Sequence, residues 1–188
     1  MMANNNWPHG FRPLMVDTAG APVGVREYAK PASDANAIYA YDLLKKTNTS
    51  ATVEGQLIPT PGVQTYNQGT PGTTPILGSS LNYGAASSAT WHTVVDDITA
   101  IFEAQCDGTT SITVASDAGM NANVNNAAQS NGTLISAMQV SSSSIATTNS
   151  LDLRIQDLSR VLTNAEGANA IVEVLILRHV NGQGSTGV

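Results

Sequence analysis

The sequence predicts a mostly β protein, a single antiparallel β-barrel or sandwich-like domain with an extended N-terminal arm and long loops. Three observations carry this expectation. Only 12% of the residues are charged while 41% are hydrophobic. Ser, Thr, Asn, Gly and Ala fill the gap, and these suit turns and short strands better than a helical bundle, which needs Glu, Lys, Leu and Arg. Second, Leu151, Leu153 and Ile155 alternate with Asp152, Arg154 and Gln156, the period of two of a strand with one wet face. Third, prolines and glycines punctuate the chain from Pro59 to Gly78, where proline removes backbone donors and glycine admits positive φ.

A chain of 188 residues fits one domain. It divides into an extended arm at residues 1–24, a β-rich domain at 25–180 and a flexible Gly-rich tail at 181–188. In the arm, Pro8, Pro13 and Pro22 interrupt any helix or ladder. Trp7, Phe11, Leu14 and Met15 are large apolar groups there, so they pack either on the domain or on another subunit.

Strands are expected at residues 23–30, 37–44 and 52–58, then at 90–95, 100–105 and 112–115. Residues 59–80 read as a long loop and a candidate contact surface. Asp117 is placed to cap a single helical turn within 117–126, and the serine run 141–144 reads as a polar turn. Residues 171–177 are nearly all aliphatic, which predicts a central strand buried on both faces. With the strand at 151–156 and a turn at 164–169, this segment is expected to close a hairpin.

Few residues of the chain point to chemistry. Net charge is −6 and Lys45-Lys46 is the one basic pair, whereas phosphate backbones demand clustered Lys and Arg, so no nucleic-acid partner is expected. A single cysteine, Cys106, excludes an intramolecular disulfide and a Cys-based zinc site, and its apolar surroundings predict a buried thiol. No apolar run approaches the ~20 residues needed to span a bilayer. Trp7, Pro8 and His9 stand where a signal peptide would be apolar, so a soluble protein of a reducing cytoplasm is expected. His9, His92 and His179 lack metal-ligand spacing, and His92 and His179 read as hydrogen-bonded structural histidines. Asp96-Asp97 reads as a turn pair. Ser79-Ser80 lies outside any Gly-x-Ser-x-Gly elbow. The literal G-x-G-x-x-G at Gly182 to Gly187 reads as tail, because that fingerprint serves a dinucleotide only where it opens a helix. No catalytic residue, cofactor or metal is expected, so the chain is read as not an enzyme.

Several segments together resemble a known family. They are Asn6-Trp7-Pro8-His9-Gly10-Phe11-Arg12-Pro13-Leu14, Leu81-Asn82-Tyr83-Gly84-Ala85-Ala86-Ser87-Ser88-Ala89-Thr90 with Ile101-Phe102-Glu103-Ala104-Gln105, Gly119-Met120-Asn121-Ala122-Asn123, Ser143-Ser144-Ile145-Ala146-Thr147-Thr148 and Gly167-Ala168-Asn169-Ala170. In this order, spread over most of the chain, they resemble the cement, decoration or head structural proteins of tailed bacteriophages. The Pro- and Gly-rich stretch at 59–78 departs from that pattern.

The resemblance implies a β-barrel-like virion protein, assembled in the host cytoplasm, that binds the outside of the major capsid protein shell. There it would clamp neighbouring capsomers and stabilise the mature head, as a homotrimer in the first place and a dimer in the second. The capsid-binding residues on this reading are Trp7, Phe11, Leu14 and Met15 as apolar anchors, with Arg12 as a polar clamp to capsid carboxylates. The alternative is a carbohydrate-binding or adhesin-like β module on a virion surface. That module would present aromatic platforms, and aromatics are 5% of this chain.

Overall fold

A computed structural model describes residues 4–17, 19–47, 51–53, 56–58, 62–66, 74–127 and 132–182. Its elements in chain order are β1 (Arg12–Asp17), β2 (Val25–Lys30), β3 (Leu43–Thr47), β4 (Ala51–Val53), β5 (Gln56–Ile58), β6 (Gly62–Thr65), β7 (Gly78–Ser80), β8 (Thr90–Val95), β9 (Ala100–Gln105), α1 (Val114–Asp117), β10 (Asn121–Asn125), β11 (Gln139–Ala146), β12 (Leu153–Leu158) and β13 (Ile171–Ile176). The protein is mostly β, as expected.

The strands form a six-stranded sheet in the order β1-β9-β13-β12-β10-β11, a five-stranded sheet in the order β2-β8-β7-β3-β6, and the small β4-β5 hairpin. Every ladder is antiparallel. Neither large sheet closes on itself, so the architecture is sandwich-like and the barrel alternative is withdrawn. The six-stranded sheet is nevertheless rolled, because Cys106 at the end of β9 bridges Val140 of β11.

Alternation explains how the layers pack. Val172, Val174 and Ile176 of β13, Phe102 and Ala104 of β9, and Leu153 and Ile155 of β12 all point into one core. Phe11, Leu43, Tyr66, Ile76 and Val95 meet them there. In the five-stranded sheet the neighbouring residues Leu44 and Val94 point the other way, into a second core with Ile38, Val63 and Leu77. That sheet is therefore buried on both faces, while β13 is not. Ile171, Glu173 and Leu175 are only half-buried on its outer face, which corrects the expectation of burial on both sides. Its central position holds, since β13 lies between β9 and β12 with Val174 opposite both Phe102 and Ile155.

Local chemistry accounts for the other differences. Residues 37–44 do not run as one strand, because Tyr41 turns at φ 70° and the Asp42 carboxylate accepts the Tyr39 N–H at 2.8 Å. A short acceptor side chain has here outcompeted the ladder, and β3 starts only at Leu43. The strand expected at 52–58 divides into β4 and β5, and Glu54-Gly55 between them lies outside the described residues. The loop expected at 59–80 contains β6 and β7. At Gly78, φ is +154° and a Cβ would sit 2.0 Å from the Val95 carbonyl oxygen, so only glycine allows β7 to lie against β8.

Residues 112–115 supply a single bridge at Ile112 and then enter α1. Asp117 ends that turn rather than starting one, its carboxylate accepting the Thr113 N–H at 2.8 Å. Asn121–Asn125 is a strand, and the serines at 141–144 lie within β11 rather than in a turn. The tail from residue 183 onward lies outside the described residues.

The one-sided burial of β13 gives a paired test. Ile176→Asp puts a carboxylate among the aliphatic and aromatic side chains of the main core, at a cost comparable with a typical domain's whole stability margin, and this variant should be insoluble or unfolded. Leu175→Asp, on the outer face, should stay soluble with a lowered denaturation midpoint. Equal behaviour of the two in urea titration would contradict the alternation.

Candidate functional site

The N-terminal segment crosses one end of the six-stranded sheet and is fastened there by side-chain amides. Asn4 donates to the carbonyls of Ala165 at 2.7 Å and Ala168 at 3.2 Å, and accepts the Ala165 N–H at 3.1 Å. Gln105 accepts the Trp7 N–H at 2.9 Å and donates to the carbonyls of Asn5 at 2.7 Å and Asn169 at 3.0 Å. The Trp7 backbone is thus clamped while its side chain stands 72% exposed. The loop that receives Asn4 also carries Val161 and the fully exposed Leu162.

Three residues on, the chain dives inward. Gly10 adopts φ +69°, and a Cβ there would lie 2.5 Å from both Ser136 Cβ and the Tyr41 carbonyl oxygen. This passage carries Phe11 into the main core, where it is fully buried. Its N–H donates to the Tyr41 carbonyl at 2.9 Å, and its carbonyl accepts the Ser79 hydroxyl at 2.7 Å. Phe11 is therefore corrected: it anchors the segment to its own domain and offers nothing to a partner. The arm is corrected with it, since β1 is an edge strand paired with β9. Leu14 is half-buried, and the Met15 side chain lies outside the described residues.

Arg12 starts a row that crosses four strands. It stands opposite Glu103 of β9 and forms an ion pair with it. Glu103 stands opposite Glu173 of β13, and Glu173 opposite Asp157 of β12. Opposed residues in an antiparallel ladder project to the same face, so one arginine meets a line of three carboxylates. Ser159 also donates to Glu103. Burial raises the Glu173 carboxyl above the usual range, Arg160 opposes that rise, and Asp157 and Glu103 reinforce it. The half-exposed guanidinium of Arg12 is committed to this row, which weakens its expected role as a clamp to foreign carboxylates.

The groups screened for chemistry are internal. His92 is fully buried, with Ser80 Oγ 2.9 Å from Nδ1 and Thr90 Oγ1 2.9 Å from Nε2, so it is the hydrogen-bonded structural histidine expected. Burial pushes its pKa down to about 4. Ser80 is equally buried, so no substrate reaches the pair. His179 accepts the Asn181 N–H at 3.1 Å, and burial lowers it too. His9 is lowered by burial and by Arg12. Cys106 is buried, as expected, and its thiol is pushed up to about 12 by that burial.

Asp96 accepts the Tyr28 hydroxyl at 2.6 Å and pairs with Arg26 at 3.4 Å, while Asp97 caps its own turn through the Thr99 N–H at 2.9 Å. The two carboxylates have separate hydrogen-bond partners. Among the described residues no group of three or more His, Cys, Asp or Glu is arranged to hold a metal, and no helix is long and apolar enough to cross a membrane.

One feature had no sequence signal. A cleft of about 480 Å³, open to solvent, lies over Asp42, with Tyr39, Thr65, Asn126 and Met138 among its lining. The alternating pattern of residues 37–44 placed Asp42 in a strand and so concealed it. Comparison with protein-family models, curated proteins and solved structures finds no match for this chain.

Two buried groups set opposing pH dependences. His92 titrates near 6.5 when unfolded and about 4 when folded. Its contribution is therefore complete above 6.5 and is lost as pH falls toward 4, by about 3 kcal/mol at most. Asp42 is raised from 3.8 to about 6, so its carboxyl favours the fold at low pH and loses that advantage as pH rises through the same interval. Asp42→Asn should thus gain stability relative to the parent between pH 4 and pH 7, by about 3 kcal/mol at most. The deficit of His92→Gln should shrink between pH 7 and pH 4. Urea unfolding at pH 4, 5, 6 and 7 reads both slopes.

Proposed function

We propose that this chain is a non-enzymatic structural module that attaches to the outside of a protein shell and cements neighbouring subunits, as the head cement proteins of tailed bacteriophages do. The observation that carries the reading is Trp7, a large apolar residue left 72% exposed on a segment held at its own N–H by Gln105 and three residues earlier by Asn4. An indole held in this way has already lost much of the backbone freedom that binding would otherwise cost it, and tryptophan is among the side chains that dominate interface energetics. The family resemblance across most of the chain supports the same reading.

On this reading the partner is the major capsid protein, the chain acts as a homotrimer or dimer at the virion surface, and Trp7 is the main anchor with Leu14 at its margin. Phe11 holds the anchor in position from inside. A module that bridges subunits only in the assembled shell stabilises that state by differential binding, and many copies add their effect.

Truncation is a poor test, because removing residues 1–15 takes Phe11 from the core and most of β1 from the sheet. Trp7→Ala is the sharper probe. It should leave the melting profile unchanged and weaken occupancy on purified shells by roughly tenfold or more, since burying such a side chain is worth about 1.5–3 kcal/mol. Full occupancy by Trp7→Ala would move the attachment surface elsewhere.

A further inference from the structure

We propose that the cleft over Asp42 is a receptor for a primary ammonium group on an alkyl stem, the chemistry of a lysine side chain presented by a partner protein. Asp42 is the acidic group of this cleft. It is 4% exposed and forms part of the lining of an open cleft of about 480 Å³. Its carboxylate accepts the Tyr39 N–H at 2.8 Å and a hydrogen bond from the Ser136 side chain. No basic side chain of the described residues is among the groups that act on it.

Two other buried carboxylates are each met by an arginine, and a third, Asp152, lies fully buried against the Tyr66 hydroxyl rather than in this cleft. Glu103 is paired with Arg12 and Asp96 with Arg26. A carboxylate withdrawn from water without a cation is costly, and proteins normally either pair it or leave it protonated. Asp42 alone among these four lines a cleft that a cation can enter.

The backbone holds Asp42 in this position from several sides. Tyr41, a non-glycine residue at φ 70°, donates its N–H to the Ser80 carbonyl at 2.6 Å, and its carbonyl accepts the Phe11 N–H. The Asp42 N–H returns to the Tyr39 carbonyl at 3.0 Å. A residue in the left-handed region persists only where its surroundings over-determine it, and such residues cluster at ligand sites. Here the strained turn is what aims Asp42 at the cleft.

The lining selects the shape of the ligand. Ala35, Ala37, Ala86 and Ala137 contribute methyl groups, and Met138 adds a thioether whose sulfur is engaged by the Leu43 N–H at 3.3 Å. Asp42 is the one carboxylate among these lining residues, and because it already accepts from Tyr39 and Ser136 it suits the compact charge of a lysine ammonium better than the bidentate fork of arginine, while Asn36, Thr65 and Asn126 offer oxygens for the remaining ammonium protons. A sugar would also want an open aromatic face to stack on, whereas the Tyr39 ring already packs against Tyr83 at 5.6 Å.

The inference does not rest on the cement reading. A lysine could be presented by any partner surface. The test uses the full chain and NMR titration with Nα-acetyl-lysine amide, Nα-acetyl-norleucine amide, putrescine and N-acetylglucosamine. The lysine amide should shift the signals of residues 35–42, 86 and 137–138 saturably, and should move the Asp42 carboxyl titration to lower pH. The norleucine amide, which has the stem without the charge, should do neither.

Asp42→Asn should weaken lysine amide binding by roughly tenfold or more. Ala86→Leu, at an exposed wall position, should do the same by filling the cleft and serves if the first variant fails to fold. The inference is overturned by an equal response to norleucine amide, by no saturable shift, or by undiminished binding in both variants. Stronger binding of N-acetylglucosamine would assign the cleft to a glycan instead, and stronger binding of putrescine to a free diamine.

Discussion

One buried hydrogen bond between the two large sheets fixes how they sit on each other. Tyr66 follows β6 of the five-stranded sheet, Asp152 precedes β12 of the six-stranded sheet, and the Tyr66 hydroxyl donates to the Asp152 carboxylate at 3.0 Å. Both ends are tied down further. The Tyr66 N–H donates to the Leu43 carbonyl at 2.7 Å, and the Asp152 carbonyl accepts the Leu177 N–H at 2.9 Å. The second carboxylate oxygen faces the Val124 N–H at 3.4 Å. The side chains and backbones of these two residues therefore connect β3, β6, β10, β12 and the end of β13. Hydrogen bonds to charged groups contribute about 1.5–3 kcal/mol each, and geometry adds something that apolar packing does not. Methyls and rings tolerate sliding, whereas this bond, together with the Ile76–His179 bridge, restricts the relative position of the two sheets.

The candidate surfaces depend on that position. Phe11 sits in the same core as Tyr66, and it is gripped by Tyr41 and Ser79, which belong to the turn before β3 and to β7. A shift between the sheets would pull Phe11 out of register with these partners and release the segment that presents Trp7. The same turn positions Asp42 in its cleft. The N-terminal surface and the cleft are thus coupled through one residue, Tyr41, whose carbonyl holds Phe11 and whose strained φ orients Asp42.

The strands legible in the sequence were those whose burial and pairing follow simple alternation. β8 and β9 fall at residues 90–95 and 100–105 as read, because each carries β-branched or aromatic residues bounded by turn formers. The β12-β13 hairpin was legible for the same reason. Illegible were the places where a side chain replaces a backbone partner or where burial comes without hydrophobicity. Gly78-Ser79-Ser80 contains no apolar residue, yet all three are buried, because Gly78 allows close approach to β8 and the two hydroxyls are satisfied by Phe11, Asn82 and His92. Of the serines of β11, Ser141 pairs with Asn123 of β10 and Ser142 to Ser144 lie in the bulge beside it, which no periodicity announces. Phe11 among prolines looked like a sticky arm, because only the three-dimensional proximity of Tyr41, Ser79 and Ser136 reveals a socket for it. Asp42 was hidden by the opposite error, an alternating pattern broken by its own carboxylate.

The scarcity of charge has a structural counterpart in the way this chain uses asparagine. Asn164 donates to the carbonyls of Ser159 at 2.8 Å and Ile171 at 2.7 Å and accepts the Ile171 N–H at 2.9 Å, fixing the loop between β12 and β13. Asn82 donates to the Trp91 carbonyl at 2.8 Å and accepts the Thr93 N–H at 2.9 Å, behaving as one more rung beside β8. Asn4 does the same for the loop at Ala165 and Ala168. An amide side chain carries the donor and acceptor of a peptide group, so it can continue a ladder where the chain itself has turned away. Unlike surface ion pairs, such contacts are neutral and are not screened by salt. Loops held in this way keep their shape without burying hydrophobic area, and that leaves Trp7, Val161 and Leu162 exposed on a fixed frame rather than collapsed onto the domain.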